Sequence, residues 1–229
     1  MSLRRLSNQQ PDNFDFTAEH KVRAEAIIAK YPKGYQASAV IPLLDLAQRQ
    51  EGWVVKPAIE CIAAMLDMDV IRVLEVATFY TMFNLSPVGK CHIQVCTNLP
   101  CMLRGSSEVV SACENKLGVK LGGTTEDGEF TLNEVECAGA CVNAPIVAIN
   151  DDYYEDLDYE SMGKLIDAIK SGHPPVRGSI LGRQGAAPAG VQTSLTADPT
   201  QKYPKQDLAA AMQKFQEAQE AAHNAKEGA

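Results

Sequence analysis

Apolar positions follow a helical period in the first third of this chain and an alternating one in its middle. Between Thr17 and Phe83 they recur every three or four residues: Val22, Ala26 and Ala29; Ile41, Leu44 and Ala47; Ile59, Ile62 and Leu66; then Val70, Val73, Val76 and Phe79. Breaks at Tyr31–Gly34, Glu51–Val54 and Asp67–Asp69 divide this stretch into four short helices, with Ser38 and Asp69 as expected N-caps and Pro57 in a first turn. From Lys90 the period changes. Cys91 to Val95 alternates as a strand running into Cys96, Ser106 to Leu117 is amphipathic, Glu129 to Val135 and Ile146 to Ile149 read as strands, and Tyr159 to Lys170 closes as a helix.

Beyond Gly172 the pattern fades. From His173 to Pro204, nine of 32 residues are Pro or Gly without a hydrophobic period, which predicts a linker or extended arm. Lys205 to Lys226 places Leu208, Met212 and Phe215 at helical spacing, enough for a thin amphipathic helix that is marginal alone. The expected architecture is therefore α+β: a flexible N-terminus over 1–16, a small helical bundle over 17–88, an α/β domain over 89–172, and the arm over 173–229.

Composition bears on compartment and partners. An apolar fraction of 45% in 229 residues can supply a real core. Seven cysteines and no signal-peptide pattern predict a reducing compartment. No apolar run reaches the roughly 18 residues of a membrane-spanning helix, so direct membrane insertion is not expected. The net charge of −8 is carried by residues 90–172, and six of their acids lie between Asp151 and Glu160. That density repels nucleic acid. It predicts a solvated acidic loop, with an acidic rim that steers a basic partner as the functional alternative.

The chemistry lies in four cysteines. Cys96-Thr-Asn-Leu-Pro-Cys101 and Cys137-Ala-Gly-Ala-Cys141 form two close pairs, each expected just beyond a strand's C-terminal end, where open α/β sheets present functional loops. Small residues, Pro and Gly around the sulfurs allow backbone N–H groups to approach them. The spacings suit a [2Fe–2S] centre, in which each iron takes one pair, and they also permit structural zinc or redox-active thiols. No histidine falls within either pair, which excludes a Rieske centre, and the Cys-x2-Cys that follows in plant-type ferredoxins is missing. Cys91 lies five residues before Cys96 on an alternating strand, so the two face opposite sides. Cys61, Cys91 and Cys113 read as packing residues. Neither a Gly-x-Gly-x-x-Gly turn nor a Walker loop occurs, so no nucleotide site is expected, and no catalytic residue is assigned.

The segments Ala77 to Phe83, Cys96 to Cys101, and Gly122 to Leu132 leading into Glu136 to Cys141 resemble the thioredoxin-like ferredoxin family that contains a [2Fe–2S] subunit of NADH:quinone oxidoreductase, respiratory complex I. The resemblance covers about residues 17–172. It implies a thioredoxin-like α/β domain with one [2Fe–2S] cluster held by Cys96, Cys101, Cys137 and Cys141. It implies that NADH and FMN are bound by a partner flavoprotein subunit, and that this chain exchanges single electrons with that flavin during NADH oxidation and quinone reduction. Related subunits serve NAD-linked hydrogenases and formate dehydrogenases, and a zinc-stabilised structural module is the reading from another class. Cys91 departs from the family's pattern, and the alternation keeps it out of the ligand set. The arm is expected to brace other peripheral-arm subunits. The expected location is the cytoplasmic face of a bacterial inner membrane, with the mitochondrial matrix as the alternative.

Overall fold

The computed structural model describes residues 5–183. Two hydrophobic cores form, and the change of period at Lys90 marks the passage from one to the other. The first core is helical: α1 (Ala18–Ile28), a 3-10 turn (Gln36–Ala39), α2 (Val40–Glu51), α3 (Lys56–Leu66) and α4 (Val70–Phe79). Leu43, Leu44, Ala47, Ile59, Ile62 and Phe83 lie at its centre, fully or almost fully buried.

Four details of the bundle differ from the expectation. Helix α1 buries Ala24 with Ile27 and Ile28 beside it, not Val22, Ala26 and Ala29, and Val22 stays 67% exposed. Both faces have helical spacing, but the two isoleucines carry more apolar surface, so that side turns inward. Helix α4 buries Val73 and Ala77 and leaves Val70 and Phe79 outside. Positions three apart drift by about 60° per step on a helix of 3.6 residues per turn, so a series of four cannot remain on one buried stripe. Ser38 falls within the 3-10 turn, leaving Ala39 at the N-terminus of α2. Asp69 does occupy the N-cap of α4 but contributes its backbone carbonyl, which accepts from Arg72 and Val73, and no side-chain cap. Thr17 caps α1, its hydroxyl accepting from the His20 N–H, and Pro57 stands in the first turn of α3 as expected.

The second core lies under a five-stranded sheet of order β2-β1-β3-β4-β5, built from β1 (Cys91–Cys96), β2 (Phe130–Val135), β3 (Ile146–Ile149), β4 (Asp152–Glu155) and β5 (Gly178–Ser179). Strands β1 and β2 are parallel, with Cys91 opposite Phe130 and Cys96 opposite Val135, whereas β3 runs antiparallel to both β1 and β4. Side chains alternate as the pleat requires. Cys91, Ile93 and Val95 join Phe130, Leu132, Val147 and Ile149 against α6 (Ser106–Leu117) and α7 (Tyr159–Lys170). The intervening positions His92, Gln94 and Cys96 face the other side. Helix α7 begins with a capping box between Asp158 and Ser161.

Entry into β1 depends on one glycine. A Cβ on Gly89 would stand 2.7 Å from the carbonyl carbon of Phe130, while the Gly89 N–H donates to the Thr131 hydroxyl. The bundle and sheet are further linked by Arg49 of α2, whose guanidinium donates to both carboxylate oxygens of Asp151 at 2.9 and 3.3 Å.

The acidic stretch is only partly the solvated loop expected, with Asp151, Asp158 and Glu160 exposed. Strand β4 runs through it, Asp152 pairs with Arg177, Asp156 with Arg183, and Glu155 accepts from the Asn143 amide. Alternation at Tyr154 supplies the apolar anchor, and the acids on either side take partners outside the stretch. Residues 173–183, which composition alone assigns to the arm, add β5 to the sheet edge, where Gly178 lies opposite Tyr154. The expected helix over Lys205 to Lys226 lies outside the described residues.

Candidate metal centre

Cys96 is the last residue of β1, and Cys137 follows β2 by two residues. Because these strands are adjacent and parallel, their C-terminal ends lie side by side, and the two cysteine loops leave the sheet at one place. The Cys96 thiol donates to the Glu136 carbonyl at 3.5 Å, spanning the two strand ends. Cys101 sits in α5 (Leu99–Leu103), a short helix that the periodicity does not predict; Asn98 caps it and Pro100 stands in its first turn. Cys141 opens a 3-10 turn ending at Asn143.

Burial separates the pairs. Cys96 and Cys101 are buried with Ala144 and Ile146, lined by Val135, Ala138 and Ala140, whereas Cys137 and Cys141 are exposed. Burial, followed by the hydrogen bond with Cys96, pushes the Cys101 thiol up to about 11, with Cys141 adding to the same direction. Among the described residues, no three His, Cys, Asp or Glu side chains stand in metal-holding geometry.

The donors suit an iron–sulfur cluster in their chemistry. All four are free thiols, and the loop from Cys137 to Cys141 contains only small residues, with Gly139 at φ 74° and open space where its Cβ would be. Such a loop lets backbone N–H groups approach sulfur closely. Cys113 is fully buried and its thiol is pushed up to about 12 by burial, while Cys61 and Cys91 are half-buried and raised for the same reason. They pack as expected, Cys91 in the core under the sheet and Cys96 in the small cluster at its end.

The second loop has supports that sequence reasoning did not find. The Tyr153 hydroxyl donates to the Ala138 carbonyl at 2.9 Å, the Asp156 N–H to the Asn143 carbonyl at 2.7 Å, and Arg183 to the Val142 carbonyl at 2.8 Å. Burial pushes Asp156 upward, but Arg183 and Ser179 together hold its carboxyl below the usual range. A signal was present in the sequence: Arg177 and Arg183 lie in a nearly neutral segment that follows a run of unmatched acids.

A one-sided α/β sheet carrying paired cysteines beyond adjacent parallel strands defines a thioredoxin-like ferredoxin architecture. The chain belongs to the thioredoxin-like [2Fe–2S] ferredoxin family, whose model matches residues 24–170, and the [2Fe–2S] cluster is that family's cofactor. It is 61% identical over 165 residues to an NADH-quinone oxidoreductase subunit of Rickettsia conorii, covering 72% of this chain and 99% of that one. It is 48% identical over 202 residues to the mitochondrial NADH dehydrogenase [ubiquinone] flavoprotein 2 of Dictyostelium discoideum, covering 88% of this chain and 82% of the relative. In fold, 58% of the chain is similar to 23% of a chain of NAD+-reducing [NiFe]-hydrogenase, with a TM-score of 0.51 at 20% identity.

Proposed function

We propose that this chain is the [2Fe–2S] subunit of the NADH dehydrogenase module of an NADH:quinone oxidoreductase, and that Cys96, Cys101, Cys137 and Cys141 are the cluster's ligands. One observation carries the ligand assignment: the cysteine pairs leave the C-terminal ends of two adjacent parallel strands. The identity of 61% with the Rickettsia relative favours the respiratory complex over the hydrogenase reading, which rests on likeness of fold.

When bound, the cluster supplies a centre that takes up and releases one electron at a time. The chain's residues determine what surrounds that centre. Cys96 and Cys101, buried with Ile146 and Ala144, would hold it from the buried part of the site. Cys137 and Cys141 would hold it from the exposed loop, where a partner's redox group can approach. Leu99, Met102, Leu103 and Val142 are more than half exposed around the same loops, an apolar rim that suits coverage by a partner protein. We assign that position to the flavoprotein that binds NADH and FMN.

Among the described residues no helix is long and apolar enough to cross a membrane, which accords with a peripheral place in a membrane-associated complex. The proposed location is the cytoplasmic face of a bacterial inner membrane, or the matrix side in mitochondria. The proposed role of residues 184–229 is to brace neighbouring subunits. Deleting them should lower assembly of the complex while leaving the cluster's spectrum intact; full assembly without them would refute that role.

The deciding test is to purify the full chain anaerobically and measure iron, sulfide and the EPR spectrum before and after dithionite. The expected result is two irons and two sulfides per chain with a spin-half signal on reduction. A colourless protein with one tightly bound zinc would overturn the redox reading.

A further inference from the structure

The exposed second cysteine loop ends in a single 3-10 turn over Cys141–Asn143, and its carbonyls at Val142 and Asn143 are both occupied from outside that turn. The two donors belong to Arg183 and Asp156, which also bind each other. Arg183 donates from Nη2 and Nε to the Asp156 carboxylate at 2.6 and 3.1 Å, and Nη2 also donates to the Val142 carbonyl at 2.8 Å. The Asp156 side chain is only 3% exposed, and its backbone N–H donates to the Asn143 carbonyl at 2.7 Å. The Ser179 hydroxyl donates to the same carboxylate and accepts from the Arg183 N–H, which fixes the strap against β4.

We propose that Arg183 is a positioning residue for Cys141, and that residues 173–183 form a strap which holds the second ligand loop in place and neutralises the buried Asp156 charge beside it. This inference rests on the ligand assignment proposed above. A loop tied through two adjacent carbonyls loses less conformational entropy when it closes on a metal centre, because Arg183 of the strap and the Asp156 N–H have already ordered it. The charge acts separately. A cluster with four thiolate ligands is already anionic and gains a further negative charge on reduction, so an unpaired carboxylate nearby opposes electron uptake. Arg183 removes that opposition.

The test uses the full chain, reconstituted anaerobically with iron and sulfide. Arg183→Gln should shift the cluster's midpoint potential downward and make cluster loss to a chelator several-fold faster. Arg183→Lys should keep the potential near the parent's but lose its cluster faster, because the shorter side chain lacks the planar guanidinium fork that reaches carbonyl and carboxylate together. Adding Asp156→Asn to Arg183→Gln should bring the potential back toward the parent's without restoring retention. Circular dichroism on each variant checks that the fold persists. If Arg183→Gln changes only the melting temperature, leaving potential, EPR line shape and cluster loss unaltered, the inference is overturned while the ligand assignment stands. A parent chain that takes up no [2Fe–2S] cluster would overturn the ligand assignment and this inference with it.

Discussion

Cys96 and Cys101 are held from within, by a strand end, a capped helix and a small apolar cluster, whereas Cys137 and Cys141 stay exposed on a loop held from outside by Tyr153, Asp156 and Arg183. The first pair depends on packing that any folded state of the domain must already have. The second depends on polar contacts that can be removed singly without emptying a core. One site thus combines a half built by burial with a half built by hydrogen bonding, and the two should respond differently to substitution.

The largest effects should come from the proposed ligands. Cys101→Ser and Cys137→Ser are both expected to abolish stable cluster binding, measured as iron per chain. They should separate in the metal-free protein: Cys101→Ser buries a hydroxyl among apolar groups and should lower stability by about 1–3 kcal/mol, while Cys137→Ser at an exposed site should leave it nearly unchanged. Equal melting temperatures for the two metal-free variants would erase the contrast.

Next in size is Gly89→Ala, which drives a Cβ into the Phe130 backbone where β1 and β2 begin. It should cost about 3 kcal/mol in denaturant unfolding, the upper end for overpacking, and weaken both halves together because both hang from the same strand pair. A neutral result would show that the strands can separate at this end without loss.

A smaller effect concerns pH. His92 is buried on β1 and burial lowers its pKa from 6.5; its Nε2 lies 2.7 Å from the Asn133 amide nitrogen, which donates to it. The unfolded chain therefore binds a proton more readily than the native one. Stability should fall as pH drops below about 6.5, and His92→Gln should flatten that part of the profile in urea titrations. An unchanged profile would assign the acid sensitivity to other groups.

The smallest expected change is Arg49→Gln. Its pairing with Asp151 joins bundle to sheet, but the two side chains are 49% and 74% exposed, so the loss should be under about 1 kcal/mol and should shrink further in salt. Cluster retention should not respond. A marked loss of cluster in this variant would mean that the bundle supports the site directly.

Long periodic segments were legible in the sequence because one solvent-averse face determined them. The helices over Ser106 to Leu117 and Tyr159 to Lys170, and the strand over Ile146 to Ile149, occur as read. Where small residues competed with large ones, as in α1, spacing alone could not decide which face turns inward. Helix α5 was illegible for another reason: five residues are too few to show a period. The placement of the cysteine pairs at strand ends could be anticipated from spacing, since it depends on local alternation. The strap could not, because β5 has two residues and its partners are acids that look solvated when their cations lie some 25 residues away in sequence.

The parallel pairing of β1 with β2 has one more consequence. Parallel neighbours cannot be joined by a tight hairpin, and here the connection carries two helices before Phe130 is reached. Neither half of the cysteine set meets the other until that long-range closure is complete, so on a nascent chain the thiols emerge as two separate low-affinity pairs. On the proposed ligand assignment, iron and sulfide can therefore complete the site only after β2 has closed on β1.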